Sequence, residues 1–325
     1  MPYTAAEYEY TQIALDTDLV ELAAGELRLA LAPAVGGSIA GFSREWREGG
    51  VERRLDWLRP ATDEARAMRN PLGMASFPLL PFCNRIRQGR ASFEGREIRF
   101  PPNHPSADSP HPLHGIGWQL PWQVVTADAA QAELALEVGA SRAWPWRFSA
   151  RQRFALSERR LSVSMSLTNE DTAAMPAGIG HHPYFPHTPG ARLTSRTQAM
   201  WGGDAEVMPT TVEVSDAVKK LRTGIVLSEL DLDNNFVGWE REAIVEWPAD
   251  SAGPRRRLVM QAQAPLDYFV VYCPRGFDHF CAEPVSQCTD WLNLLPQHGH
   301  GPLGGARLAP GETLQAQFQL VPSWG

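Results

Sequence analysis

The sequence predicts an all-β protein, a large antiparallel β-sandwich with few short helices. Three observations predict it. Long segments alternate apolar and polar residues with period two, the spacing of a strand with one buried and one wet face. Glycine and proline, 27 of each, punctuate the chain throughout. Segments with helical spacing are few and short, so the crossover helices of an α/β fold are missing.

In chain order, Leu27-Arg28-Leu29-Ala30-Leu31 reads as an early strand. Residues 60–76 read as a long loop in which Ala61 to Arg69 form a turn or two of helix. Residues 101–113 read as a second long loop, and long loops are where sites concentrate. Ala129 to Val138 is ambiguous: its alanines favour helix, its Leu134/Leu136 alternation favours strand. The clearest signal follows. Phe148, Ala150, Phe154 and Leu156 alternate with Arg147, Ser149, Arg151 and Arg153. The polar turn Ser157-Glu158-Arg159-Arg160 leads into Leu161, Val163, Met165 and Leu167, interleaved with Ser162, Ser164 and Ser166. That is a hairpin with one buried face. Leu266 to Tyr272 reads as another strand. Pro310-Gly311-Glu312 turns the chain into Leu314, Ala316, Phe318 and Leu320, which alternate with Gln315, Gln317 and Gln319. No internal repeat or Gly/Ser linker divides the chain, so residues 1–325 read as one sandwich domain, a length all-β units reach.

The chain is 43% hydrophobic and 21% charged, enough to bury a sizeable core and too apolar for disorder. A net charge of −7 argues against a nucleic-acid protein, which shows a basic footprint. The run Arg255-Arg256-Arg257 reads as a solvated hairpin tip. No uninterrupted apolar run reaches the ~18 residues of a membrane span, and the start Met1-Pro2-Tyr3-Thr4 lacks signal-peptide features. The expected compartment is therefore the cytoplasm. Cys83, Cys273, Cys281 and Cys288 form no CxxC pair and read as free buried thiols. Trp144, Trp146 and Trp201 read as core residues.

Five stretches carry polar groups that a sheet core does not need. They are Asn84-Arg85-Ile86 with Gly89; Leu113-His114-Gly115; His181-His182-Pro183-Tyr184-Phe185; Asp233-Asn234-Asn235-Phe236; and Glu283-Pro284. Taken singly each is weak. Adjacent His181 and His182 on a strand point to opposite faces, so one of them at most faces a site. His298-Gly299-His300 reads as a solvent loop rather than a metal site.

In this order the set resembles the aldose 1-epimerase (galactose mutarotase) family, over roughly residues 70 to 320. The resemblance implies a galactose mutarotase-like supersandwich and an isomerase that needs no cofactor. It implies catalytic His182 and Glu283, with Asn84, Arg85, His114 and Asp233 as sugar-binding residues and Asp231 as the fallback for Asp233. No metal is implied. The implied partner is a small sugar, with no nucleic acid or membrane, and the chain is expected as a monomer or homodimer. Three features depart from the family's common members. Pro186-His187 replaces Asn-Leu after the aromatic pair. The approach to His114 through Pro105 to Pro110 is long. The run Val285 to Asn293 after Glu283 follows a broader bacterial pattern.

Mutarotation opens the sugar ring, rotates the aldehyde and closes the ring on its other face. Opening removes a proton from O1 and delivers one to the ring oxygen O5, work for two groups of opposite protonation state. The expected roles are Glu283 as base at O1 and His182 as acid at O5. Three alternatives stand beside this: a charged sugar held by further cations such as Arg87, Arg99 or Arg192; a non-catalytic sugar-binding module; and a metal set of His181, His182, His187 and Glu283.

Overall fold

The protein is described by a computed structural model covering residues 19–104, 109–250 and 253–325. The Met1–Thr4 start and residues 105–108 of the long approach to His114 lie outside the described residues.

Two large sheets form the body. The first has nine strands in the order Ile225–Val226, Arg192–Ser195, Glu242–Trp247, Arg256–Ala262, Thr313–Trp324, Arg160–Asn169, Phe148–Ser157, Gln131–Val138 and Gln123–Ala127. The second runs Pro209–Glu213, Ala199–Gly203, Leu232–Val237, Tyr268–Cys273, His279–Val285, Gly180–His181 and Pro78–Leu79, and Tyr184–Pro186 also pairs with His279–Val285. Val20–Ala24, Leu27–Ala32, Ser38–Glu48 and Val51–Asp56 make a smaller four-stranded sheet. Neighbouring strands within these three sheets pair antiparallel throughout.

The expected hairpin forms as read. Phe154 stands opposite Val163, and Val163 opposite Phe318 on the C-terminal strand, so one apolar row crosses three strands. Ser164 and Gln317 pair on the outer face. Ala129 to Val138 resolves as the strand Gln131–Val138, because Leu134 and Leu136 are buried by the sheet; tertiary burial overrides alanine's helix propensity. The turn within Ala61 to Arg69 is the helix Asp63–Ala67, capped by the Thr62 hydroxyl at Ala65. Trp144, Trp146 and Trp201 are buried, as are all four free cysteines.

The arginine run is corrected by the structure. Arg256 is not at a solvated tip: it is 4% exposed, with its guanidinium 5.0 Å from the Trp247 ring. It begins an inner strand, and the period-two alternation turns its side chain inward while Arg255 stays outside. One inward position of the hairpin is also polar. Gln152 is fully buried and bonds Gly37 O at 2.9 Å and the His181 ring at 3.2 Å. No helix is long and apolar enough to cross a membrane among the described residues.

Candidate active site

The eight-stranded sheet has one face on the shared core and one face beneath the loops, and the register says which residues share each. Asp233 stands opposite Tyr272, Tyr272 opposite Cys281, and Cys281 opposite Tyr184. One step along, Asn235 stands opposite Val270 and Val270 opposite Glu283. Residues in register share a face, so Asp233, Tyr272 and Glu283 look the same way. The row after Glu283, formed by Phe236, Phe269 and Pro284, turns to the opposite face and is buried in the core.

His182 reaches the Glu283 face by register. Gly180 pairs with Val285 and Tyr184 with Cys281, so one unbroken register sets His182 opposite Glu283. Pro183 has no N–H to give the ladder, so the strand's hydrogen bonding is interrupted there. The His182 amide instead donates to Phe77 O at 3.0 Å and the Tyr184 amide to Ala75 O at 2.9 Å. Nε2 of His182 then lies 3.4 Å from Oε1 of Glu283, both side chains being almost wholly buried. Its ring packs against both Phe77 and Tyr184, each with centroids 4.7 Å away, and those two rings also touch each other at 6.1 Å. Arg59 covers the far face of Tyr184 at 4.0 Å.

His181 points the other way, as adjacency on a strand requires. Its ring lies 5.4 Å from Phe318 of the opposite sheet and bonds Ser76 Oγ and Gln152 Oε1. The amide oxygen of Gln152 only accepts, so His181 carries its proton on Nε2 and accepts from Ser76 at Nδ1. The metal set of His181, His182, His187 and Glu283 is therefore not assembled. Among the described residues no three His, Cys, Asp or Glu side chains are grouped to hold a metal ion.

His114 and Asn84 are locked together. The His114 amide donates to Asn84 O at 2.8 Å, and the Asn84 amide donates to Nδ1 of His114 at 3.0 Å. His114 therefore keeps its one proton on Nε2 and presents a donor. Its ring stands edge-on to His182 with centroids 5.1 Å apart. The Leu-His-Gly motif has a local reason. Gly115 takes φ +68°, and a Cβ there would stand 2.2 Å from Leu80 O, so only glycine fits.

Arg85 extends to Asp233, Nη2 to Oδ2 at 2.9 Å, while its Nη1 donates to Asn84 Oδ1 at 3.2 Å. Asp231, the fallback, is exposed and pairs with Arg275 instead. All six expected site residues thus converge: Asn84, Arg85, His114, His182, Asp233 and Glu283. Three neighbours were not read from the sequence. Phe77 and Tyr184 pack against His182, and half-buried Tyr272 lies in register beside Asp233. Tyr184 sits inside a quoted motif, but nothing in the one-dimensional pattern marks Phe77 or Tyr272, because their roles depend on which strands pair.

Burial governs the charges. It pushes the Glu283 carboxyl well above the usual range, Asp233 pushes it further, and Arg85 pulls it back. Burial pushes His182 down to about 3, aided by Arg59. His114 is also held well below its ordinary value, by burial first and then by His182 and Arg85. Burial therefore favours a protonated Glu283 beside a neutral His182. Carboxylic acid plus imidazole and carboxylate plus imidazolium contain the same number of protons, so these are two tautomers of one pair. The second oxygen, Glu283 Oε2, is buried without a hydrogen-bond partner among the described residues, and a buried orphan acceptor in a polar cleft is suited to a ligand's hydroxyl.

The aldose 1-epimerase family matches residues 18–321. The uncharacterised protein YphB of Escherichia coli (strain K12) is 28% identical over 320 residues, covering 93% of this chain and 98% of that protein. A crystal structure of a "putative aldose 1-epimerase" from Escherichia coli K12 superposes with a TM-score of 0.81 at 26% identity, covering 95% of this chain and 99% of that one. A galactose mutarotase-like protein from Clostridium acetobutylicum shares the fold, with a TM-score of 0.79 at 19% identity over 94% of this chain and 95% of that one.

Proposed function

The chain belongs to the aldose 1-epimerase family, and from that premise we propose that it interconverts the α and β anomers of a free, neutral aldose. The observation that carries the reading is the buried His182–Glu283 pair at 3.4 Å, ringed by His114, Arg85 and Asp233.

In the cycle, Glu283 as carboxylate takes the proton from O1 while His182 as imidazolium gives one to O5. The products of that step are a protonated Glu283, a neutral His182 and the open-chain aldehyde. The neutral tautomer that burial favours is thus the form of the pair that accompanies the open chain. Ring closure on the other face returns the protons and restores the ion pair. A sugar's hydroxyls replace some of the lost solvation, which narrows the gap between the tautomers. His114 donates from Nε2 to an oxygen that gains charge, and Arg85 and Asp233 hold hydroxyls.

A neutral sugar fits the cations better than a charged one. Arg85 is neutralised by Asp233. Arg87 donates to Asp204 at 2.9 Å and faces Glu206 at 3.8 Å. Arg192 bonds Gly224 O on the other large sheet, and Arg99 is exposed on a small hairpin.

The test is polarimetry of freshly dissolved α-D-galactose and α-D-glucose. Wild type is expected to speed the decay to equilibrium rotation, and Glu283→Gln to lose at least ~10²-fold in kcat, the low end of an acid/base contribution. A Glu283→Gln protein with near-full activity would sink the assignment.

A further inference from the structure

The turn that presents Arg85 lies outside the regular strands, and its amides are satisfied one by one. The Asn84 amide donates to the His114 ring at 3.0 Å and the Arg85 amide to Asn84 Oδ1 at 2.9 Å. The Ile86 amide donates to Pro112 O at 3.2 Å. The Arg87 amide donates to Asp290 Oδ1 at 2.9 Å, and the Gln88 amide to the His111 ring at 3.0 Å. Four of these five acceptors lie 23 or more residues away along the chain, so the shape of the turn is written largely by residues remote in sequence.

Asp290 grips the turn twice. Its backbone N–H donates to Arg85 O at 2.9 Å while its carboxylate accepts from the Arg87 amide. Together the two bonds span Ile86. Asn293 holds that carboxylate in place at 2.7 Å and also donates to Arg90 O. To make both bonds Asp290 takes φ +58°, a left-handed conformation that Asp and Asn tolerate better than other side chains with a Cβ. It stands at the N-terminus of the helix Trp291–His298 but makes no capping bond there, so its carboxylate serves the turn rather than the helix. It lies seven residues beyond Glu283, in the same run that departs from the family's common members.

We propose that Asp290 is a positioning residue for Arg85, a clamp that fixes the guanidinium against Asp233 and so sets sugar affinity rather than the proton transfers. This rests on the reading of the site as a sugar pocket. The bond rather than the charge does the work. Asp290→Asn, which keeps both the acceptor and the left-handed backbone, should match wild type. Asp290→Gly keeps the backbone but removes the acceptor. It should raise KM for the preferred aldose on the order of tenfold, the cost of one buried hydrogen bond, with kcat changed less than about threefold. Asp290→Glu keeps the charge but moves the acceptor, and should behave like Asp290→Gly. It carries the test if the glycine variant does not fold. A merely structural role would lower yield and melting temperature without the KM-selective loss.

Crystal structures of wild type and Asp290→Gly read the clamp independently of turnover. Loss of the Arg85–Asp233 contact in the variant supports the proposal. The contact kept at 2.9 Å, KM unchanged in Asp290→Gly, or Asp290→Asn as impaired as Asp290→Gly would each overturn it. If wild type neither turns over nor binds galactose or glucose, the sugar-pocket reading fails, and the crystallographic comparison still decides whether Asp290 holds Arg85.

Discussion

At the scale of single residues, one physical term recurs: ionisable groups taken out of water. Asp290 is a clean case because its carboxyl, pushed up to about 6 by burial, can be replaced by an amide that keeps its hydrogen bonds. In the unfolded chain this carboxyl ionises near its ordinary value of 3.8. Below that pH both states are protonated and the burial costs nothing. As pH rises through about 6 the folded state ionises late, and stability is lost across that window. Asparagine has no proton to lose. The stability of Asp290→Asn relative to wild type should therefore improve between pH 4 and pH 7, by up to roughly 2–3 kcal/mol. Urea unfolding at the two pH values measures it. An equal difference at both would mean that Asp290 is not held in its neutral form.

His181 and His182 show how little residue type says about role. They are adjacent and both buried, and both are pushed down to about 3. One is tied to Ser76 and Gln152 in the core, and the other faces Glu283. That one of the pair at most would face a site follows from strand geometry and was legible in the sequence. The reason Gln152 breaks the apolar row of its hairpin was not, since its partner His181 lies 29 residues away.

At the scale of elements, the site depends on the spacing of two neighbouring strands. Gly180 pairs with Val285, and a Cβ on Gly180 would stand 2.8 Å from Pro284 O and 2.8 Å from Val285 Cγ1. Those are backbone and β-branched atoms that cannot swing aside. His182 follows Gly180 by two residues, and Glu283 immediately precedes Pro284. Gly180→Ala should therefore push the two strands apart and stretch the His182–Glu283 pair. A misplacement of about 1 Å costs up to ~10²-fold. The expected result is a fall in kcat of tenfold or more in a protein that still folds, checked by polarimetry and circular dichroism together. Full activity in that variant would show that the pair tolerates a wider strand gap than the reading allows.

At the scale of the whole molecule, burial of the two histidines ties stability to pH. Each takes up a proton near pH 6.5 when unfolded but only near 3 when folded. Their contribution is present above pH 6.5 and lost as pH falls toward 3, each at a slope approaching ~1.4 kcal/mol per pH unit. Glu283 and Asp290, raised rather than lowered, run the opposite way and offset part of the loss. A difference measurement separates the terms. His181→Asn should lose stability at every pH, because it leaves a cavity beside Phe318, yet its decline from pH 6 to pH 4 should be shallower than that of wild type. Parallel declines would mean that His181 is not held neutral.

What the sequence determined by itself was the alternation of faces and the positions of the candidate site residues. Period two in Leu161 to Leu167 and Leu314 to Leu320 dictates strands with one buried face, because a side chain on every second residue must share a side. The short motifs around Asn84, His114, His182, Asp233 and Glu283 marked positions that a sheet core has no use for. Tertiary structure alone decided which strands became neighbours. That choice placed Tyr272 beside Asp233, set Arg256 against Trp247, stacked Phe77 on His182 and brought Asp290 under the Arg85 turn. The physical reason is range. Face alternation is a property of consecutive peptide units, whereas these contacts join residues far apart in the chain, and no local preference records a distant partner.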